Sequence, residues 1–273
     1  MLFLNPRSGG GKAARAGLAE HARERGIDVI LLSPDQTLAA LIDDAVRRGA
    51  DALGVAGGDG SLAVVAAAAL EHGLPFVCVP AGTRNHFALD LGVDRHDLIG
   101  SLDAFTDGVE RLIDVAEVNG RLFLNNVSLG IYGDAVRQPD YRDAKARTLL
   151  QTAAHVLGPS AAVDDLQLVD DDGRPHLGPA VVLVSNNPYS LELPHSPRLR
   201  DSLDGGRLGI IVLDPPEARL GPGRAWTAAR LEVTAPATVH AGIDGEAVDL
   251  TPPLRFAIRP GALRVRTPIL PST

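Results

Sequence analysis

A chain of 273 residues, 45% hydrophobic and 22% charged, suits one large or two ordinary globular domains and excludes disordered and fibrous classes. Its formal net charge of -8 argues against nucleic acid as a partner, because phosphate backbones are held by clustered Lys and Arg. The single cysteine, Cys78, cannot form an internal disulfide and reads as a small core residue in PFVCVP. No apolar run approaches the ~18 to 20 residues of a membrane span, and MLFLNPRSGGGK is too soon glycine-rich for a signal peptide. A cytoplasmic location is therefore expected, with any membrane contact peripheral at the inner face.

In chain order, LFL, DVILL, ALGVA and PFVCV read as short strands, alternating with the helical patterns KAARAGLAEHARERG, DQTLAALIDDAVRRG and SLAVVAAAALEHG. That rhythm predicts right-handed crossovers and a mostly parallel sheet covered on both faces. Gly26, Gly49 and Gly73 each follow a helical run where a left-handed C-cap residue belongs. From about residue 109 the texture changes. VERLIDVAEVNGRLFLNNVSLG predicts two strands joined at Asn119-Gly120, the strongest short hairpin signal. After a helical stretch near 140 to 157 the pattern is strands: QLVDDDGRPHL, AVVLVSNN, GRLGIIVLD, RLEVTA, TVHAGIDGEAVDL and LRFAIRPGALRVRTP. Runs of strands after βα units predict a separate antiparallel β-domain, with the boundary near 115.

Three glycine-marked loops follow the first, third and fourth strands, at the sheet end where open α/β sheets bind ligands. Asn5-Pro6-Arg7-Ser8-Gly9-Gly10-Gly11-Lys12 offers backbone amides, a helix start and two cations to an anion; a flexible linker is the plainer alternative. Gly57-Gly58-Asp59-Gly60-Ser61 lets a ligand approach the backbone, with Ser61 as a candidate cap and Asp59 as a carboxylate able to take Mg²⁺; Asp-Gly is also an ordinary turn pair. The third loop supplies Gly82, Thr83, Arg84 and Asn85, and could equally be a helix start capped by Thr83. In the later half, Asp244 and Glu246 flank Gly245, on one face if a strand continues or in a hairpin turn with solvated acids if not. Arg200 to Arg207 resembles a cation loop, although a D-G-G turn is the commoner reading. The histidines have no metal-ligand spacing and read as surface or cap residues.

NPRSGGGK, GGDGS, PAGTRNHFA and IDGE, in this order over nearly the whole chain, resemble the bacterial diacylglycerol kinase and sphingosine kinase superfamily of lipid kinases. The resemblance implies an N-terminal α/β nucleotide-binding domain of NAD kinase and phosphofructokinase type over 1–115 and a C-terminal antiparallel β-sandwich over 116–261. It also implies a last strand, about 262–273, that returns to the first domain. It further implies ATP and a lipid alcohol in the cleft between the domains, with Mg²⁺; with no membrane span and an acidic net charge, transient peripheral membrane contact and no nucleic acid are expected. An exposed sheet edge allows a homodimer. By position, Asn5, Pro6, Arg7, Ser8, Gly9, Lys12, Ser33, Gly57, Gly58, Gly60, Ser61, Thr83, Asn85 and Glu246 correspond to the ATP site. Asp244 corresponds to the general base, Asp59 and Asp114 to the acidic network around metal and base, and Asp201, Asp204 and Gly206 to a second, structural Mg²⁺ site.

The chain departs from the family pattern at Ser61, in place of Thr, and at Leu62-Ala-Val-Val, in place of polar positions that include an Asn-Glu pair. His86 stands where many members carry Asp, and the Pro- and Gly-rich connection DPPEARLGPGRAW replaces an expected helix. The alternatives are a NAD kinase-like or other small-alcohol kinase, against which the absence of any Asn-Glu dipeptide counts, and a nucleotide-binding regulator that has lost catalysis.

Overall fold

The computed structural model describes residues 1–33, 35–83, 85–130, 166–179, 181–190, 200–213 and 224–269; the side chains of Asp59, Leu177 and Leu213 fall outside that description. The expected helix near 140 to 157 and most of the 214–228 connection also lie outside it. The chain divides into two compact units, Met1–Ile113 with Gly261–Thr273, and Asp114–Pro260.

The first unit runs β1 (Leu2–Leu4), α1 (Lys12–Arg15), α2 (Leu18–Glu24), β2 (Val29–Leu31), α3 (Leu38–Arg47), β3 (Leu53–Ala56), α4 (Asp59–Glu71), β4 (Phe76–Val79) and α5 (His86–Asp90). The strands pair in parallel in the order β2-β1-β3-β4. Every residue of β1, β3 and β4 is buried, Cys78 included, because a parallel sheet covered on both faces has no solvent side. β2, at the edge, leaves Leu31 half exposed. Gly26, Gly49 and Gly73 are left-handed, at φ 74°, 83° and 63°. The amide of the residue after each closes a 6→1 bond, Ile27 to Ala22 at 2.9 Å, Ala50 to Ala45 at 3.1 Å and Leu74 to Ala69 at 2.8 Å. The same device thus ends three helices. The first helical pattern is not one helix: Gly17, at φ 61°, breaks it between α1 and α2, since only glycine takes that conformation without strain.

The second unit carries β5 (Val109–Val118), β6 (Arg121–Phe123), β7 (Asn126–Gly130), β8 (Gln167–Asp170), β9 (Pro175–Leu177), β10 (Val181–Asn186), β11 (Leu208–Leu213), β12 (Arg224–Ala228), β13 (Arg230–Thr234), β14 (Val239–Ile243), β15 (Glu246–Leu250) and β16 (Leu254–Thr267). β5 enters from the first unit and β16 leaves toward it. Six strands form an antiparallel sheet in the order β12-β11-β10-β7-β14-β15. A second antiparallel set joins β16 to β13, β13 to β8 and β8 to β9. Inward residues of both sets, among them Val127, Leu129, Leu168, Val184, Ile210, Val233 and Phe256, form one core with Phe123 of β6. At its far end β16 pairs in parallel with β4, Val265 opposite Phe76.

The β5–β6 hairpin turns at Asn119 and Gly120, both with positive φ, as the Asn-Gly pair predicts. The stretch after it is not one strand but two: β6 ends at Phe123 and β7 begins at Asn126, with a bend at 124–125. The segment RAWTA, where the Pro- and Gly-rich connection ends, is a strand, β12. His176 is no surface residue: it stacks on Trp226 at 4.2 Å, and its Nε2 lies 3.0 Å from Asp170 Oδ2.

Candidate functional site

The strand order of the first unit reverses at β1, so the crossovers leaving β1 and β3 depart to opposite faces and open a crevice between their ends. All three glycine loops meet there. Asn5 N donates to Ala56 O at 2.9 Å, and Asn5 Oδ1 accepts from Arg7 N at 3.0 Å, turning the chain immediately after β1. Gly9, Gly10 and Gly11 follow at φ 56°, 66° and 84°, a left-handed run in which Gly11 N donates back to Ser8 O at 3.0 Å. A Cβ on Gly9 would overlap the Ala81 carbonyl oxygen, so the first loop lies directly on the third. A Cβ on Gly82 would come within 3.0 Å of Gly57 O, so the third lies on the second.

Lys12 and Asn85 lock this junction. Lys12 Nζ donates to Arg95 O at 2.5 Å and Pro80 O at 3.4 Å. Burial, and then the neighbouring Arg95, hold its ammonium below the ordinary lysine value. Asn85, buried and at φ 54°, donates to Pro80 O at 3.0 Å and Gly82 O at 2.9 Å. It is Asn85, not Thr83, that occupies the N-cap of α5; Thr83 is exposed in the loop. Ser61 caps nothing either, because α4 starts two residues earlier, at Asp59 with Gly58 as N-cap, and Ser61 lies inside the first turn beside Gly60. The Asp59 side chain and Arg84 lie outside the described residues. Pro6 and Ser8 are half-buried, and Arg7 is exposed. Ser33, after the edge strand β2, is exposed and donates to Gln36 Oε1 at 3.1 Å.

Gly58 stands out for what the fold does not require of it. Its φ of -89° is open to any residue, and a Cβ there would meet nothing within 4 Å. It leads into the first turn of a 13-residue helix, whose unpaired amides and dipole favour an anion. A small residue facing open space at a helix N-terminus is what a bound phosphate needs.

In the second unit Asp114 is buried on β5. Its Oδ2 accepts from Asn187 Nδ2 at 2.8 Å and from Gly206 N at 2.6 Å, which ties it to the loop carrying Asp201 and Asp204. Asp201 and Asp204 are exposed, and the Asp204 carboxylate accepts from the Ser202 hydroxyl. Among the described residues no cluster of three or more His, Cys, Asp or Glu gathers. Asn187 Oδ1 is buried with no hydrogen-bond partner among the described residues, and a Cβ on Gly205 would lie 4.0 Å from it. An orphaned carbonyl oxygen facing a loop of carboxylates and carbonyls fits a hard cation such as Mg²⁺.

Asp244 and Glu246 do not share a strand face. Asp244 and Gly245, at φ 49° and 87°, are the two-residue turn between β14 and β15, with Ile243 paired to Glu246. Glu246 is exposed, 3.9 Å from Arg121. Asp244 is only 6% exposed, neither solvated nor on a continuing strand. Its carboxylate is gripped by the 124–126 bend: Leu124 N donates to Oδ2 at 2.8 Å, and Asn125 N and Asn126 N donate to Oδ1 at 2.7 and 3.0 Å. Burial pushes this carboxyl above its ordinary value, and the three amides together with the charge of Arg200 pull it back.

Four participants escape the sequence reading: Arg200, Asn125, Asn186 and Asn187. Arg200 is 1% exposed and bonds the same bend. Asn186 Nδ2 donates to Asp114 O at 3.1 Å and Leu124 O at 3.2 Å, joining the Asp114 loop to the Asp244 grip. Two adjacent asparagines closing the apolar strand VVLVSNN are a usable signal, because buried amides need partners; Arg200, in the charged run PRLRD, carries none.

Residues 1–118 match the family described as diacylglycerol kinase catalytic domain. A Pseudomonas aeruginosa protein named "Probable lipid kinase YegS-like" is 30% identical over 293 residues, covering 98% of this chain and 94% of its own. The diacylglycerol kinase of Bacillus subtilis is 39% identical over 93 residues, 33% of this chain and 30% of its own. A crystal structure of a diacylglycerol kinase from Bacillus anthracis superposes with a TM-score of 0.67 at 17% identity, covering 97% of this chain and 94% of that one, a likeness of fold. On its full-length similarity to the Pseudomonas relative and the matched catalytic-domain family, the chain belongs to the diacylglycerol kinase-like lipid kinase family and is a lipid kinase.

Proposed function

We propose that this lipid kinase uses ATP and Mg²⁺ to phosphorylate a hydroxyl of diacylglycerol or a related long-chain lipid. In this reading the first unit is the nucleotide-binding α/β domain, and the second is a β-sandwich that takes the lipid. The observation that carries it is the meeting of three glycine loops at the β1/β3 crevice, with Gly58 facing open space. Amides of Gly9 and Gly10 and of the first turn of α4 hold the phosphates, and Arg7 adds charge. Asn5, Lys12 and Asn85 keep the loops together, while Ser33 and Thr83 flank them.

Asp244 is the base that accepts the lipid hydroxyl proton. A carboxylate offers about four lone-pair sites, of which the three amides occupy three, so a site remains for the proton. Asp201 and Gly206, through carbonyls, and Asp204, through its carboxylate, would hold a structural Mg²⁺, with Asp114 and Asn187 steadying that loop; Asp59 is the candidate partner of the metal that accompanies ATP. Mg²⁺ held beside Asp59 would supply positive charge to the phosphates. In this reading the lipid is met by peripheral, transient contact; no helix among the described residues is long and apolar enough to cross a membrane.

Purified protein, labelled ATP, Mg²⁺ and mixed micelles of lipid alcohols should yield labelled lipid phosphate. Transfer to NAD instead would favour the small-alcohol kinase reading, and ATP bound without being consumed would favour the regulator. The phosphate site is tested separately by Gly58→Ala. Its thermal midpoint should match the parent, while its ATP dissociation constant should rise roughly 10- to 100-fold, the effect of ~1 to 3 kcal/mol of overpacking. Unchanged ATP affinity in this variant would place the phosphates elsewhere.

A further inference from the structure

The bend that grips Asp244 is itself held from behind. Arg200 is the largest fully buried side chain among the described residues. Its Nη1 donates to Leu124 O and to Asn186 O, both at 2.7 Å, and its Nη2 donates to Asn125 Oδ1 at 3.1 Å. Leu124 C=O and Asn125 N–H belong to one peptide group, and that N–H donates to Asp244 Oδ1 at 2.7 Å. A guanidinium on the oxygen of a peptide polarises its N–H, so the line from Arg200 through the peptide to the carboxylate strengthens each bond in it. The planar fork also fixes the peptide plane, and hence the direction in which the amide points.

We propose that Arg200 is a positioning residue that holds the Asp244 carboxylate in place and in its anionic form, acting through the peptide group joining Leu124 to Asn125. This rests on Asp244 being the base. A buried carboxylate left to its own surroundings would take up a proton and cease to be one. The charge that opposes this is Arg200; the other groups on Asp244, from the bend and from β7, are neutral amides. Glu246 and Arg121, beside the turn, face solvent and pair with each other at 3.9 Å.

The test is ¹³C NMR on protein labelled at aspartate, with the Asp244 Cγ resonance identified by its loss in Asp244→Asn. In Arg200→Met the titration midpoint of Asp244 should rise by about one pH unit or more, a tenfold gain in proton affinity. In Arg200→Lys, which keeps the charge but lacks the planar fork that reaches Leu124 O and Asn125 Oδ1 from two nitrogens, it should rise by about half as much. A folded Arg200→Met protein with the parental midpoint overturns the proposal. Should that variant fail to fold, a parental midpoint in Arg200→Lys overturns it instead. Where the parent phosphorylates lipid, the acid limb of kcat/KM should move with the NMR midpoint while KM for ATP stays constant, which mere loss of packing would not produce. A parent that turns over no lipid refutes the role of Asp244 as base, and the carbon titration still decides whether Arg200 governs its ionisation.

Discussion

Asp244→Asn should lower lipid phosphorylation by about 10² to 10⁴-fold with ATP affinity unchanged, the share of rate that a well-placed general base supplies. Steady-state kinetics with calorimetric ATP binding checks it, and near-parental turnover would remove Asp244 from the role. The three amides around the carboxylate make the substitution more than a loss of basicity. Whichever way the new amide is turned, its NH₂ faces at least one of the Leu124, Asn125 and Asn126 N–H groups. An unsatisfied buried donor costs about 1 to 3 kcal/mol, so the variant should also melt earlier.

The pH dependence follows from the same burial. Because burial lifts the Asp244 carboxyl above its ordinary value of 3.8, the acid limb of kcat/KM should lie above the normal carboxylate range and vanish in Asp244→Asn. The folded state holds this proton more tightly than the unfolded chain does. The residue's contribution to stability is therefore full below the unfolded value and declines as pH rises through the folded one. Urea midpoints across that interval should fall more steeply with pH in the parent than in Asp244→Asn.

Gly9→Ala should damage the protein at a different place. Gly9 sits at φ 56°, where a side chain costs ~1 to 2 kcal/mol, and its Cβ would overlap the Ala81 carbonyl, for which overpacking adds ~1 to 3 kcal/mol. The obstacle is backbone, so no rotamer change relieves it. A combined loss of about 2 to 5 kcal/mol should appear in thermal unfolding of the first unit, together with loss of ATP binding as the first and third loops part. A Gly9→Ala variant of parental stability would mean that the two loops are not in contact. Gly58→Ala forms the contrasting pair, since there the fold tolerates the methyl group and the ligand does not.

The parts of this fold legible in the chain are those whose cause is local. The strands β1, β3 and β4 read as unbroken apolar runs because both their faces are covered. Gly26, Gly49 and Gly73 announce helix ends because a left-handed residue after a helix is nearly always glycine, and Asn119-Gly120 announces a hairpin for the same backbone reason. The loops Asn5 to Lys12, Gly57 to Ser61 and Pro80 to Asn85 are visible as glycine-marked bends at strand ends. Their mutual contact at Gly9, Ala81 and Gly82 needs only the parallel order of the strands.

The surroundings of Asp244 come from long-range packing. The chain alone allows either a hairpin turn at residues 244 and 245, Asp-Gly being a hairpin pair, or a continuing strand, and in neither case says that the acid is buried. What buries it is a bend between β6 and β7, more than a hundred residues earlier in the chain, where LFLNNVSLG otherwise reads as one strand. That bend is braced in turn by Arg200, 76 positions from Leu124. These links run from side chains to backbone amides and carbonyls, which every residue carries alike, so they leave no pattern in the side chains to be read.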